Sequence, residues 1–139
     1  MIARLWQART KPGMGASYLD YFRRTGLREF LETPGFRGAY TLRRAAGDAS
    51  DYLILSLWDD MDAVRLFAGS DPDRAVYYSG DVDYFPVDDL PLLLDHYEVV
   101  IAQRGGEQAG PLAASDPFAD GDEAVPQRGE IREPRRADA

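Results

Sequence analysis

The sequence predicts an α+β fold in which four strands and two main helices follow one another in the order β-α-β-β-α-β. Three observations support this order: a strand-like first segment, aromatic residues at helical spacing in the second, and the nearly unbroken apolar run YLILSLW in the fourth. The order is the split β-α-β plan of ferredoxin-like domains, in which helices cover one face of an antiparallel sheet.

The first half of the domain is predicted to hold a strand, a helix and two further strands. Residues 1–9 alternate loosely and end at a turn containing proline and glycine. One aromatic face at three- and four-residue spacing predicts a helix over residues 15–31. Strands are predicted at 36–44 and 52–58, and the apolar character of the latter on both faces predicts that both are buried.

The second half is predicted to hold a capped helix, a short helix and a last strand. Asp59 is the expected N-cap of the capped helix, whose Met61, Val64 and Ala68 face inward. Proline favours a helix start, so a short helix is expected over 71–78. An acidic loop, expected to be solvated and to bind no metal, follows over 79–91 and leads to a strand over 94–102.

Composition excludes several classes of protein. The 139 residues include 16 basic and 24 acidic side chains, a net charge of -8 that repels a nucleic-acid backbone. Because there is no cysteine, disulfides, thiolate metal sites and cysteine nucleophiles are excluded. No segment resembles a signal peptide or a membrane span, so a cytoplasmic protein without a membrane partner is expected.

The predicted domain is too short to cover both faces of its own sheet, which predicts a dimer. Residues 103–139 contain few large apolar side chains, which predicts a disordered tail after a domain of 1–102. In that domain the helices cover one sheet face, and no remaining element can cover the other. A homodimer packed sheet against sheet is therefore expected.

Three segments resemble a known family in order and spacing: MIARLWQARTKPG, SLWDDMDAVRLFAGSDPDRAVYY and DHYEVV. They look like the antibiotic biosynthesis monooxygenase family of dimeric α+β barrels. The resemblance covers nearly all of residues 1–101. It implies a pocket between the sheet and its helices where, in the quinone-forming members, O2 oxidises a polycyclic or phenolic natural-product intermediate without metal or flavin. No cofactor is therefore expected here.

Aromatic side chains are the candidate substrate-binding residues. Tyrosine hydroxyls would orient the oxygens of a flat ligand, while Trp58 and Phe67 would form an apolar wall. Ordinary core packing is the alternative explanation for each member. The full set is Tyr18, Tyr21, Phe22, Tyr40, Trp58, Phe67 and Tyr78.

The candidate catalytic residues are His96, Tyr77 and Arg43. His96 is the only side chain with an unperturbed pKa near neutrality, so it is the first candidate for the base that deprotonates a phenol. It lies beside Glu98 on the less apolar side of the last strand, which faces either the pocket or the dimer partner. Arg43, or Arg4 on the first strand, would stabilise a phenolate or peroxide anion, unless each merely pairs with a surface acid.

Other functions of the same fold stay open. Haem-degrading relatives hold iron with a histidine in the region of DPDRAVYY, where this sequence has Tyr77 and Tyr78, so haem degradation is less favoured. A dimer that binds an aromatic metabolite, or an isomerase or cyclase, would use the same pocket without oxygen chemistry.

Overall fold

The computed structural model describes residues 1–105; residues 106–139, most of the expected tail, lie outside the described part. The elements are β1 (Ile2–Arg9), α1 (Ser17–Arg24), α2 (Gly26–Glu32), β2 (Phe36–Ala46), β3 (Ala49–Trp58), α3 (Met61–Ala68) and β4 (Asp95–Glu98). The sheet order is β2-β3-β1-β4 and every neighbouring pair is antiparallel, which confirms the predicted ferredoxin-like α+β plan. Two 3-10 helices, Ser79–Asp83 and Val87–Asp89, lie between α3 and β4.

The predicted helix over 15–31 is two helices that meet at Thr25. The backbone of Thr25 leaves the helical region, and its hydroxyl donates to the carbonyl of Tyr21 at 2.9 Å. The next residue is Gly26, and a Cβ at this position would lie only 2.8 Å from the Phe22 ring, so the close contact favours glycine. The break therefore lets α2 approach the aromatic side chains of α1.

Two other predicted boundaries are wrong around α3. Asp60, and not Asp59, caps this helix, because the Asp60 Oδ1 accepts from the Ala63 N–H at 2.9 Å. The expected helix over 71–78 does not form. Its residues pair with the chain before β4 instead, through Ala75 N–H to the Leu92 carbonyl at 2.9 Å and Leu94 N–H to the Asp73 carbonyl at 2.8 Å.

The last strand is shorter than the predicted 94–102. Its pairing with β1 runs from Asp95 to Glu98, and the N–H of Val99 donates to the Met1 carbonyl at 2.9 Å. Residues after 99 continue without regular structure as far as 105.

The two faces of the sheet differ in burial. Alternation places Tyr52, Ile54 and Trp58 of β3 under the helices, where each is at most 5% exposed. Leu53 and Leu55 point to the other face and are half-buried. The predicted burial of β3 on both faces is thus only partly met within one chain. None of the helices in residues 1–105 has the length and apolar character needed to cross a bilayer.

Candidate functional site

A cavity of about 60 Å³ lies between the helix-covered face of the sheet and the helices above it. The sheet forms its floor, α1, α2 and α3 form its walls, and the connection from α3 to β4 closes one end. The floor residues are Arg4, Trp6, Ile54 and Ser56; the walls are Tyr18, Phe22, Thr25, Gly26, Phe30 and Phe67; the end consists of Val76, Tyr77, Tyr78, Asp81 and Leu94.

Arg4 is the cation of the cavity floor, and it is only 3% exposed. Its Nη1 donates to the Pro72 carbonyl at 2.6 Å and to Nε2 of His96 at 2.9 Å, and its Nη2 donates to the Arg74 carbonyl at 3.0 Å. The guanidinium carbon also lies 5.7 Å from the centre of the Phe67 ring. These contacts hold a permanently charged group in one orientation beside the cavity.

His96 lies on the helix-covered face, directly opposite Arg4 in the sheet register. Because an arginine can only donate, the Nε2 of His96 accepts and carries no proton. Its Nδ1 lies 3.2 Å from Oδ1 of Asp73. Burial, and then the charge of Arg4, lower the pKa of His96, while Asp73 opposes them. The His96 side chain does not line the cavity, but it contacts Arg4, which does.

Tyr18 lines the cavity and is 5% exposed. Its ring packs on Phe85 at 4.7 Å and on Tyr52 at 5.1 Å between ring centres. Its hydroxyl makes no hydrogen bond with any residue in 1–105. Burial, and secondly the negative charge of Asp81, raise the pKa of Tyr18 well above its ordinary value, so the hydroxyl stays protonated. It is therefore a donor available to a bound molecule.

Tyr77 and Tyr78 close the end of the cavity through different partners. The Tyr77 hydroxyl accepts from Nε1 of Trp6 at 3.1 Å and donates to the Pro91 carbonyl. Burial raises the pKa of Tyr77 to about 12. The Tyr78 hydroxyl donates to the buried carboxylate of Glu29 on α2. Both tyrosines are consequently tied to the protein by their hydroxyls.

Asp81 was expected in a solvated loop, and this expectation is wrong. It is 7% exposed, lines the cavity, and its Oδ2 accepts from the backbone N–H of Tyr78 at 2.9 Å. The carboxylate caps the first 3-10 helix, and this local hydrogen bond draws it away from water.

Half of the predicted site residues meet at the cavity, namely Tyr18, Phe22, Phe67, Tyr77 and Tyr78. Trp58 and Tyr21 are buried next to it in the core without lining it. Tyr40 is 42% exposed on the other face of the sheet, because its register partner is Leu55.

Arg43 is also outside the cavity, exposed near one end of the sheet with its Nη1 3.5 Å from the Tyr52 hydroxyl. Trp6, Ser56 and Asp81 are cavity residues that the sequence prediction missed. The signal for the first two was available, since strand alternation places them on the same face as Ile54 and Arg4. No cluster of histidine and carboxylate side chains that could hold a metal occurs in the part of the chain that the structure describes.

Comparison with known proteins shows no family for this chain. No family model matches the sequence, and no curated protein matches it. Among the solved structures that match is a Bacillus cereus protein provisionally named an antibiotic biosynthesis monooxygenase, with a TM-score of 0.46 and 16% identity. The match covers 77% of this chain and 98% of that chain. The fold assignment rests on the strand order and pairing of this chain, and the function has to be argued from its own site.

Proposed function

We propose that this protein is a cofactor-independent monooxygenase of the antibiotic biosynthesis type, which oxidises a phenolic or polycyclic aromatic compound with O2. The observation that carries the proposal is the cavity itself. Its walls are aromatic, and Tyr18 brings to it a buried, protonated hydroxyl that no residue in 1–105 hydrogen-bonds. The three sequence segments that resemble the family support the same conclusion.

The proposed reaction needs few groups from the protein. A phenolate passes one electron to O2, the two radicals combine to a hydroperoxide, and loss of water gives a quinone. The peroxide takes up the proton that the phenol lost on ionisation. One oxygen atom then becomes the new carbonyl, and the other leaves as water with that proton and the single hydrogen of the oxidised ring carbon. Tyr18 orients the substrate, and Phe22, Phe30 and Phe67 hold its rings.

The geometry favours a positioning role for His96 over its predicted role as base. A base needs a free lone pair directed at the substrate, and the Nε2 lone pair of His96 accepts from Arg4. The substrate would then reach its ionised form through its own acidity, because naphthol-like phenols ionise readily.

The size of the cavity adds a conformational step to the proposal. Pockets for drug-sized ligands usually measure about 300–1,000 Å³, whereas this cavity measures about 60 Å³. Entry of a ring system thus requires one wall to move. The connection from α3 to β4 is the wall with the least regular structure, and the Tyr77 hydroxyl ties it to Trp6. We propose that this segment opens for the substrate.

Oxygen uptake with anthrones and naphthols tests the proposed activity. We expect uptake together with a quinone product, and a loss of about tenfold or more in kcat/KM for Tyr18→Phe, which removes only the hydroxyl. Tyr84→Phe, which removes a tyrosine hydroxyl from a residue that does not line the cavity, is the matched control. Absence of both uptake and product across the panel would rule out the oxygenase.

The occupied lone pair of His96 also favours a second candidate, a dimer that binds an aromatic metabolite without turnover. This candidate predicts a ligand-dependent rise in Tm with no change in the ligand. An isomerase or cyclase, in contrast, predicts a product of unchanged mass.

We further propose that a second copy of this chain covers the open face of the sheet. That face carries Tyr40, Leu42 and Tyr97, which are 42%, 50% and 57% exposed, around the half-buried Leu53 and Leu55. A contiguous apolar surface of this kind is typical of an interaction site. Along its strands, side chains on this face alternate with side chains on the helix-covered face, as in two sheets that pack face to face.

A further inference from the structure

The cavity floor contains two side chains that together form a site for an oxygen anion. Arg4 of β1 and Ser56 of β3 are direct partners in the antiparallel register. Such partners point to the same face with Cβ atoms about 4.5–5.5 Å apart. Both line the cavity, and they are 3% and 2% exposed. A guanidinium and a hydroxyl are therefore neighbours on the buried floor of the cavity.

Ser56 has a hydrogen to donate. Its Oγ accepts from Nε1 of Trp58 at 2.9 Å, and this bond uses one of the two lone pairs of the hydroxyl. No residue in 1–105 accepts a hydrogen bond from this hydroxyl. The bond from Trp58 fixes the oxygen at the edge of the cavity and leaves its O–H able to rotate toward a ligand.

Arg4 supplies a positive charge whose direction is already set. Two backbone carbonyls and the imidazole of His96 accept hydrogen bonds from it, and these three contacts orient the guanidinium. His96 in turn lies against Asp73. Little reorganisation is needed when an anion arrives, which is the condition for strong stabilisation in a water-excluded site.

The surrounding walls define what carries the anion. Phe22, Phe30 and Phe67 line the cavity, and the guanidinium of Arg4 lies over the Phe67 ring. Flat apolar walls above a donor floor fit an aromatic ring whose oxygen points down to the sheet. We propose that Arg4 and Ser56 form an oxyanion site that selects the phenolate form of the ligand over the neutral phenol. This inference rests on the proposed function in its choice of substrate class.

Binding of 4-nitrophenol without oxygen tests the site, because its anion absorbs visible light and its neutral form does not. We expect the bound phenol to have a pKa at least about one unit below its value in water, which corresponds to a tenfold preference for the anion. Arg4→Met keeps much of the apolar stem and removes every donor, so the preference should disappear. Arg65→Gln, on the exposed surface of α3, should leave it unchanged.

Ser56→Ala tests the second donor of the site, and circular dichroism shows whether the variant is folded. It should weaken phenolate binding severalfold and leave the affinity for neutral phenol unchanged. Benzoate distinguishes the two sources of an aromatic oxyanion: binding weaker than that of 4-nitrophenolate assigns the site to phenolates, and tighter binding overturns that choice. Equal affinity for phenol and phenolate, no binding of either, or an unchanged preference in Arg4→Met would each overturn the inference.

These outcomes separate the inference from the proposed function. A preference for phenolate without oxygen uptake would leave the oxyanion site standing and reject the oxygenase. Oxygen uptake without any preference for the anion would do the reverse.

Discussion

Tyr77 shows how one hydroxyl connects distant parts of the chain. It joins Trp6 of β1 to the Pro91 carbonyl shortly before β4, so it holds the end of the cavity to its floor. The sequence marked this tyrosine as a candidate for chemistry. In the structure both of its hydrogen bonds go to the protein, which indicates that its first role is to close the cavity.

Tyr77→Phe should lower the free energy of unfolding by about 1–2 kcal/mol, because it leaves the Trp6 N–H and the Pro91 carbonyl without their partner. Urea unfolding measures the change. Tyr84→Phe is the control, since that hydroxyl makes no hydrogen bond within residues 1–105 and its ring packs on Tyr21, away from the open face of the sheet. An effect of equal size in the two variants would contradict the closing role.

His96 should make stability depend on pH just below neutrality. Burial and Arg4 lower its pKa below 6.5 in the folded protein, so between those two values the unfolded chain binds more protons. Stability therefore falls as the pH drops through 6.5 toward the folded pKa of His96.

His96→Gln should flatten this dependence, because the amide oxygen can still accept from Arg4 but does not titrate. Urea midpoints measured between pH 7.5 and pH 5 would show it. Asp51 does not interfere in this pH range. Its hydrogen bond with Arg9 holds the pKa of Asp51 at about 2, so the contribution of Asp51 to stability is lost only as the pH falls below 3.8. A midpoint that declines equally in wild type and His96→Gln would show that other groups control this range.

At the scale of elements, the local sequence pattern predicted the type of the main helices and strands more accurately than their ends. The 3.6-residue pattern predicted aromatic residues on one face of a helix, but the break at Thr25 depends on how closely α2 approaches Phe22. Residues 71–78 have a plausible helix start, yet pairing with residues 92–94 satisfies their backbone instead. Such long-range pairing is not visible in a local pattern.

The cap of α3 allows a direct test between two neighbouring aspartates. Asp60→Ala removes the acceptor of the Ala63 N–H and should cost about 1 kcal/mol of stability. Asp59→Ala removes only a surface contact with Arg37 at 3.6 Å and should change stability by less than about 0.5 kcal/mol. Chemical denaturation of both variants measures this difference, and the reverse order would mean that α3 begins one residue earlier in solution.

At the scale of the whole molecule, the proposed dimer has a measurable mass. Light scattering should give twice the 15.5 kDa of one chain. Leu42→Lys places a charge on the open face and should shift the protein to monomer at micromolar concentration. Leu66→Lys is the matched control, because Leu66 is equally apolar and 64% exposed but lies on α3. A wild-type monomer would contradict the sheet-on-sheet proposal.

The domain boundary near residue 102 is also a proposal that can be measured. The last backbone bond to β1 is made by Val99, so the folded unit should need nothing beyond the next few residues. A chain that ends at 102 should therefore unfold within about 2 °C of the 139-residue chain in a thermal scan. A clearly lower Tm would place part of residues 103–139 in the folded unit.

The sequence by itself determined the fold class, because hydrophobic period and turn residues are local properties and their order admits few topologies. It also concentrated aromatic residues at the future cavity, including Tyr18, Phe22 and Phe67. Only the tertiary structure decided which polar groups meet there. Arg4, Ser56 and Asp81 come from distant segments. They line the same cavity because of the strand register and the path of the connection after α3. Register and chain path result from packing over the whole domain, and no single segment encodes them.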